Sequence, residues 1–212
     1  MKKKINIQKW ERNEIFSFFS EISNPFYMLT FRQDVTNLVR TCRMHDRSFY
    51  YSMIYLATKA INSVEAFRYV IEKENVYLIE ERIPSFTDLR QGSELFHIVT
   101  IPVNGTIDEF AASASMKSRE QKSFINYDLQ QENLIYYSCT PWMEITAVTN
   151  ERDLMLPGAA DETIPHITWG RYHSEGERII MEISMEVNHR TIDGYHIGRF
   201  HNILSEEINA LE

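Results

Sequence analysis

The chain has 212 residues, 30 acidic against 22 basic side chains, a formal charge of -8 and a 43% hydrophobic share. That length and apolar fraction suffice for one buried core, read as a single domain over residues 1–212, and the negative balance argues against nucleic acid or an anionic membrane surface as a partner. Lys2-Lys3-Lys4 passes at once into polar Asn6 and Gln8, with no apolar run for a signal peptide or anchor, so a cytoplasmic location is expected. Cys42 and Cys139 form no disulfide framework or metal-ligand pattern and read as free buried thiols.

Ile15, Phe16, Phe18, Phe19 and Ile22 lie among charged residues and predict a helix over Trp10–Ile22 with one broad apolar face, ended by Asn24-Pro25. Phe26–Phe31 is aromatic and β-prone. Asp34 reads as the N-cap of an amphipathic stretch, Val35–Met44, and Tyr50–Phe67 as a longer buried helix. Arg68–Glu81, split at Glu74-Asn75, is a hairpin, and Leu95–Ile101 a strong strand. Thr106 caps a helix over Ile107–Lys122. Leu134–Ser138 is a strand, and Thr149–Pro165, with Gly158 and two prolines, a long loop. His166–Tyr172 and Arg178–His189 form a hairpin around Ser174-Glu175-Gly176-Glu177. Ile197, Phe200, Leu204, Ile208 and Leu211 recur every three or four residues, a closing amphipathic helix. Strands and helices mixed without strict alternation predict an α/β two-layer sandwich, a mixed β-sheet with helices packed on it.

In Met181–His189 the odd positions are apolar and the even ones polar, which places His189 on the core face and Asn188 on the other. A histidine where a strand stops, followed by Asp193-Gly194 and a helix, is held rigidly while its tip reaches a cleft. With an ordinary pKa near ~6.5 a neutral imidazole there can accept a proton. Position alone fits a hydrogen-bonded core histidine equally well.

The run Asn188-His189-Arg190-Thr191-Ile192-Asp193-Gly194-Tyr195-His196 resembles the His-His-x-x-x-Asp-Gly-x-His signature of the chloramphenicol acetyltransferases, in which the second histidine is the base. Trp10-Glu11-Arg12 with Phe16 and Phe18-Phe19 resembles that family's opening helix. Ser138-Cys139-Thr140-Pro141-Trp142 resembles its Ser-x-x-Pro-Trp, and Thr168-Trp169-Gly170-Arg171-Tyr172 its Thr-x-x-(Lys/Arg)-Tyr strand. The four motifs keep their order across nearly the whole chain.

The resemblance implies acetyl-CoA as co-substrate, no metal, and a hydroxylated small molecule as acceptor. His189 would deprotonate the acceptor for direct attack on the thioester, without an acyl-enzyme. Ser138 would donate a hydrogen bond to the oxyanion and Thr168 would hold a water nearby. It also implies that Asp193 pairs with Arg12 rather than forming a triad with His189, that Trp142 and Tyr172 lie near the CoA path, and that the protein is a homotrimer with sites shared between subunits. Phe19, Phe26, Tyr27 and Tyr136 would border the acceptor. Phe19 stands where the family usually has tyrosine, Tyr136 where it has asparagine, and Asn188 where it has the first histidine. These departures leave chloramphenicol, another alcohol, or a silent binding protein as alternatives. The retained His189, Ser138 and Thr168 argue against the last.

Overall fold

The computed structural model describes residues 2–212. In chain order the elements are β1 (Lys2–Lys4), α1 (Asn13–Ser20), β2 (Phe26–Asp34), α2 (Thr36–Met44), α3 (Phe49–Asn62), β3 (Tyr69–Glu72), β4 (Asn75–Ile79), β5 (Ile83–Leu89), β6 (Phe96–Thr100), α4 (Ile107–Glu120), β7 (Leu134–Thr140), β8 (His166–Gly170), β9 (His173–Glu175), β10 (Arg178–Asn188) and α5 (Gly194–Asn209). A mixed sheet runs β2-β10-β8-β7-β5-β6, with β9 added along β10. Its middle pairs, β8-β7 and β7-β5, are parallel and the flanking pairs antiparallel. A separate small sheet has the order β1-β4-β3.

Alternation explains the two faces of the main sheet. Val99, Phe86, Tyr137, Ile167, Met185 and Leu29 occupy successive paired positions across six strands, and the first five are fully buried. The core they belong to includes residues of α2, α3, α4 and α5, so the helices cover this face. Helix α3 is apolar nearly all round, burying Met53, Ile54, Leu56, Ala57, Ala60 and Ile61, as befits a helix packed against α2, α4 and α5. This is the two-layer mixed α/β sandwich expected from the sequence.

Several boundaries differ for identifiable reasons. The first helix is shorter than Trp10–Ile22, because only Phe16 of α1 is buried. Trp10 leaves the helix to pack edge-on against Tyr69 of the small sheet, ring centroids 4.8 Å apart. Helix α3 stops at Asn62, whose side chain accepts from Arg82 N (2.7 Å) and donates to Arg82 O (2.9 Å). Asp34 does start α2, accepting from Thr36 N at 3.0 Å, although Val35 occupies the cap position. Thr106 and Glu109 form a reciprocal capping box at α4. Strands β1 and β5 were not anticipated.

Arg82, in the β4–β5 connection, is 1% exposed and bonds backbone carbonyls rather than forming a salt bridge among the described residues. Its guanidinium donates to the carbonyls of Phe67, Tyr69, Glu132, Leu134 and Thr163. Burial lowers its pKa to about 9, so it stays charged at neutral pH. One side chain thereby joins the small sheet, the start of β7 and the segment before β8.

Candidate active site

His189 follows the last residue of β10 and its backbone is held on both sides. Its N–H donates to Pro25 O (2.8 Å) and its carbonyl accepts from Arg12 Nη2 (2.9 Å). The imidazole lies between two aromatic rings, stacked on Phe19 at 3.9 Å and tilted against Tyr27 at 4.2 Å. The side chain remains 31% exposed. Two rings fix the plane of the imidazole, and its accessibility lets a reactant reach it. Partial burial lowers the His189 pKa, opposed by Asp193 and assisted by Arg12, so the ring is neutral at pH 7. The Tyr27 hydroxyl is buried without a hydrogen-bond partner among the described residues, and burial pushes its pKa up to about 12.

Distances decide what Asp193 does. Arg12 Nη1 and Nη2 each reach one carboxylate oxygen at 2.5 Å, a bidentate pair, whereas His189 Nε2 is 3.5 Å from Oδ1, too long for a good hydrogen bond. Arg12 also donates to Arg190 O at 2.8 Å. Its hydrogen bond holds the Asp193 carboxyl below the usual range. Asp193 and His196 form a capping box at α5, with His196 Nδ1 accepting from Asp193 N (2.9 Å). His196 thus serves the helix start.

Strand alternation placed the two neighbours on opposite faces but misjudged which is covered. Asn188 is 1% exposed, more deeply buried than His189, because the segment before β8 lies over the even face of β10. Asn188 Nδ2 donates to Ala160 O (2.8 Å) and Glu162 O (2.9 Å), while its Oδ1 accepts from Arg190 N (3.0 Å). Nearby, Arg152 bonds both Glu186 and Glu162, and stands 3.7 Å over the Phe26 ring. Arg190 pairs with Asp161 at 2.6 Å and donates to Ser20 Oγ at 2.9 Å. This network was not visible in the sequence, since each charge reads as a solvated side chain until the loop is folded down.

The other group of predicted residues lies elsewhere. A cleft of about 810 Å³ is lined by Ser138, Trp142 and Tyr172 together with Phe49, Tyr50 and Trp169, and is mostly apolar. Thr168 pairs with Ser138 across β7-β8. On this face a row of hydroxyls crosses five strands: Thr87, Ser138, Thr168, Ser184 and Thr30, with Thr87 Oγ1 3.4 Å from Ser138 Oγ and Thr30 Oγ1 2.8 Å from Ser184 Oγ. Sequence reasoning missed Thr87 because β5 itself was missed. Tyr136 is in neither group, its hydroxyl donating to Gln130 Oε1 (3.3 Å) and its ring edge-on to His166.

One chain does not bring His189 to Ser138. Ser184 pairs with Thr168, which pairs with Ser138, so His189 lies five residues further along β10, roughly 17 Å, and Ser138 two strands away, about 10 Å. The two side chains also point to opposite faces of the sheet.

The sequence pattern of the chloramphenicol acetyltransferases matches residues 2–205. This chain belongs to the chloramphenicol acetyltransferase family, a family of acyltransferases. It is 28% identical to chloramphenicol acetyltransferase 3 of Escherichia coli over 98% of this chain and 97% of that protein. It is 27% identical to the chloramphenicol acetyltransferase of Clostridium perfringens, covering 98% of each. A solved chloramphenicol acetyltransferase superposes with a TM-score of 0.86 at 23% identity, covering 98% of this chain and all (100%) of that one. A probable dihydrolipoamide acetyltransferase from Listeria monocytogenes shares the fold at a TM-score of 0.65 and 12% identity, covering 94% of this chain and 90% of that one. No helix among the described residues is long and apolar enough to cross a membrane.

Proposed function

We propose that this family member transfers an acetyl group from acetyl-CoA to the hydroxyl of a small molecule, with His189 as general base. The observation that carries this reading is the neutral, partly accessible imidazole clamped between Phe19 and Tyr27 at the end of β10, its backbone gripped by Arg12. His189 takes the acceptor proton as the oxygen attacks the thioester carbonyl. The Ser138 hydroxyl donates to the developing oxyanion, a contact whose loss costs roughly 100-fold or more in rate. Thr168, paired with Ser138, holds a water beside it. The apolar walls of the Ser138 cleft, with Trp142 and Tyr172 at its edge, suit the flexible pantetheine arm of CoA.

The separation of His189 from Ser138 supports a site completed by a second copy, His189 of one subunit facing the Ser138 cleft of the next in a homotrimer. Phe19, Tyr27 and His189 then form one wall of the acceptor site. Chloramphenicol and a different alcohol are both open to this chemistry. The second is favoured by Phe19, whose ring lies against His189 without a hydroxyl, and by Tyr136, whose hydroxyl is already engaged by Gln130. Thiol release from acetyl-CoA, followed spectrophotometrically over a panel of alcohols including chloramphenicol, tests the proposal. Turnover with at least one alcohol is expected, falling by about 1,000-fold or more in His189→Ala. Unchanged turnover in that variant would remove His189 from the mechanism.

A further inference from the structure

The two rings that clamp His189 are held in different ways. Tyr27 belongs to β2 and pairs with Val187 of β10, so the ladder of the main sheet fixes it. Phe19 belongs to α1, a helix of eight residues that buries only Phe16 and leaves Ile15 and Phe18 exposed. A helix this short has little stability of its own, and its position depends on what grips it from outside. Arg12, at its N-terminal boundary, is tied to Asp193 and to the carbonyls of His189 and Arg190. Phe19 lies at the other end.

Arg190 supplies the grip there. Its side chain is 9% exposed. Nε donates to Ser20 Oγ at 2.9 Å, and the guanidinium stands 4.8 Å over the Phe16 ring. Ser20 itself donates to Phe16 O at 2.6 Å. Residues 16 and 20 are neighbours one turn apart on the helix surface, and Phe19 belongs to the same turn. The other edge of the guanidinium is anchored as well, Nη1 donating to Asp161 Oδ1 at 2.6 Å and to Ala160 O at 3.4 Å. Asn188 holds the same segment from the other side of His189, through Ala160 O and Glu162 O. His189 is thereby flanked in sequence by two side chains that fasten one short turn, Ala159–Asp161, and Arg190 carries that fastening on to α1.

We infer that Arg190 is a positioning residue for His189, fastening the C-terminal turn of α1 to the Ala159–Asp161 segment so that Phe19 stays stacked on the imidazole. The assignment rests on the proposed role of His189 as general base and adds what keeps that ring in plane and shielded. A guanidinium suits the task because its planar fork meets a carboxylate, a hydroxyl and an aromatic face at once, which an ammonium, a point charge, does not. Displacing a reacting group by about 1 Å can cost on the order of 100-fold in rate, so a loosened ring is felt in turnover.

The test measures kcat, KM and the NMR titration of the His189 ring in the full chain, the His189 signal being the one absent from His189→Ala. Arg190→Gln is expected to lower kcat by about ten-fold or more, with KM for acetyl-CoA unchanged. It is also expected to raise the midpoint of the His189 titration toward the ordinary value of ~6.5. Burial is the main cause that holds this midpoint down, and Phe19 supplies part of it, while Asp193 and Arg12, the charged groups that act on the ring, stay in place. Ser20→Ala cuts the bond to α1 and spares the Asp161 pair. It is expected to move both readouts in the same direction by a smaller amount, and it decides the question should Arg190→Gln fail to fold. Arg190→Lys is expected to regain thermal stability through Asp161 without regaining kcat. The control Asn37→Ala, which releases the end of α5 at Ile208 and Leu211, is expected to lower thermal stability and leave kcat and the midpoint where they were. Parent values of kcat and midpoint in folded Arg190→Gln overturn the assignment. So does a loss of kcat in Asn37→Ala equal to that in Arg190→Gln, or a recovery of kcat in step with stability in Arg190→Lys. Full turnover in His189→Ala overturns the base reading itself, and this assignment with it.

Discussion

The His189 imidazole is ready to accept a proton over a wider range than an exposed histidine. Burial disfavours its charged form, and Asp193, which would favour it, is largely neutralised by Arg12. On the proposed mechanism His189 acts in its neutral form, and its folded pKa lies below the ordinary value of ~6.5. The acid limb of kcat/KM is therefore expected to have its midpoint below pH 6.5, so that more than half of the full activity remains at 6.5; a midpoint above that value would contradict the shift. Tyr27 offers a second handle, because its ring lies against the imidazole and its hydroxyl is buried with no partner among the described residues. Tyr27→Phe is expected to raise KM for the acceptor about five- to ten-fold with little change in kcat. The same variant should leave thermal stability equal or slightly higher, since no internal bond is lost. A residue that merely filled space would leave KM unmoved. At this scale the sequence located His189 at a strand end and Asp193 at a helix start, where the structure has them, while the pairing of Asp193 with Arg12 was legible only through the family resemblance. It was uninformative about Asn188, whose burial depends on a segment folded over it from more than twenty residues away.

Among the elements, the two strands missed have separate causes. Strand β5 begins Ile83-Pro84, and a proline argues against a strand. It is tolerated because Pro84 precedes the first residue paired with β6, Ser85, so the ladder on that side loses no donor. Strand β1 is three lysines, which carry no apolar alternation; it pairs with β4, and Lys2 reaches Glu72 of β3. The segment over Thr149–Pro165 is irregular apart from one short helical turn, Ala159–Asp161, and its function in the fold is electrostatic clamping. Arg152 joins Glu162 of this segment to Glu186 of β10, and Glu186 is only 6% exposed. Arg152→Ala would strand that carboxylate, an expected cost of about 3–5 kcal/mol in urea denaturation. Arg152→Ala/Glu186→Gln, which removes the charge left behind, should recover a large part of it. If the double variant is no more stable than the single one, the buried charge is not the source of the loss.

For the molecule as a whole, the sequence told more about chemistry than about assembly. Order and spacing of the motifs identify the family, but they do not show that the motifs fall into two groups on opposite faces of one sheet. That follows from register: Ser138 and Thr168 sit on the even face with Ser184, while His189 leaves β10 on the other. If sites form between copies, His189→Ala and Ser138→Ala should complement each other. Refolding the two inactive variants together at equal ratio is expected to restore about a quarter of the parent activity, because random assembly pairs an intact His189 with an intact Ser138 in that fraction of contacts. No recovery would place both residues in one subunit's site. Arg12 adds a temporal consequence. Its guanidinium, next to the first helix, closes on Asp193 across a separation of 181 residues and holds the carbonyls of His189 and Arg190. A chain emerging from the ribosome therefore has its sheet and helices nearly complete before His189 can be fixed in place, and on the proposed mechanism catalytic competence is among the last properties acquired during synthesis.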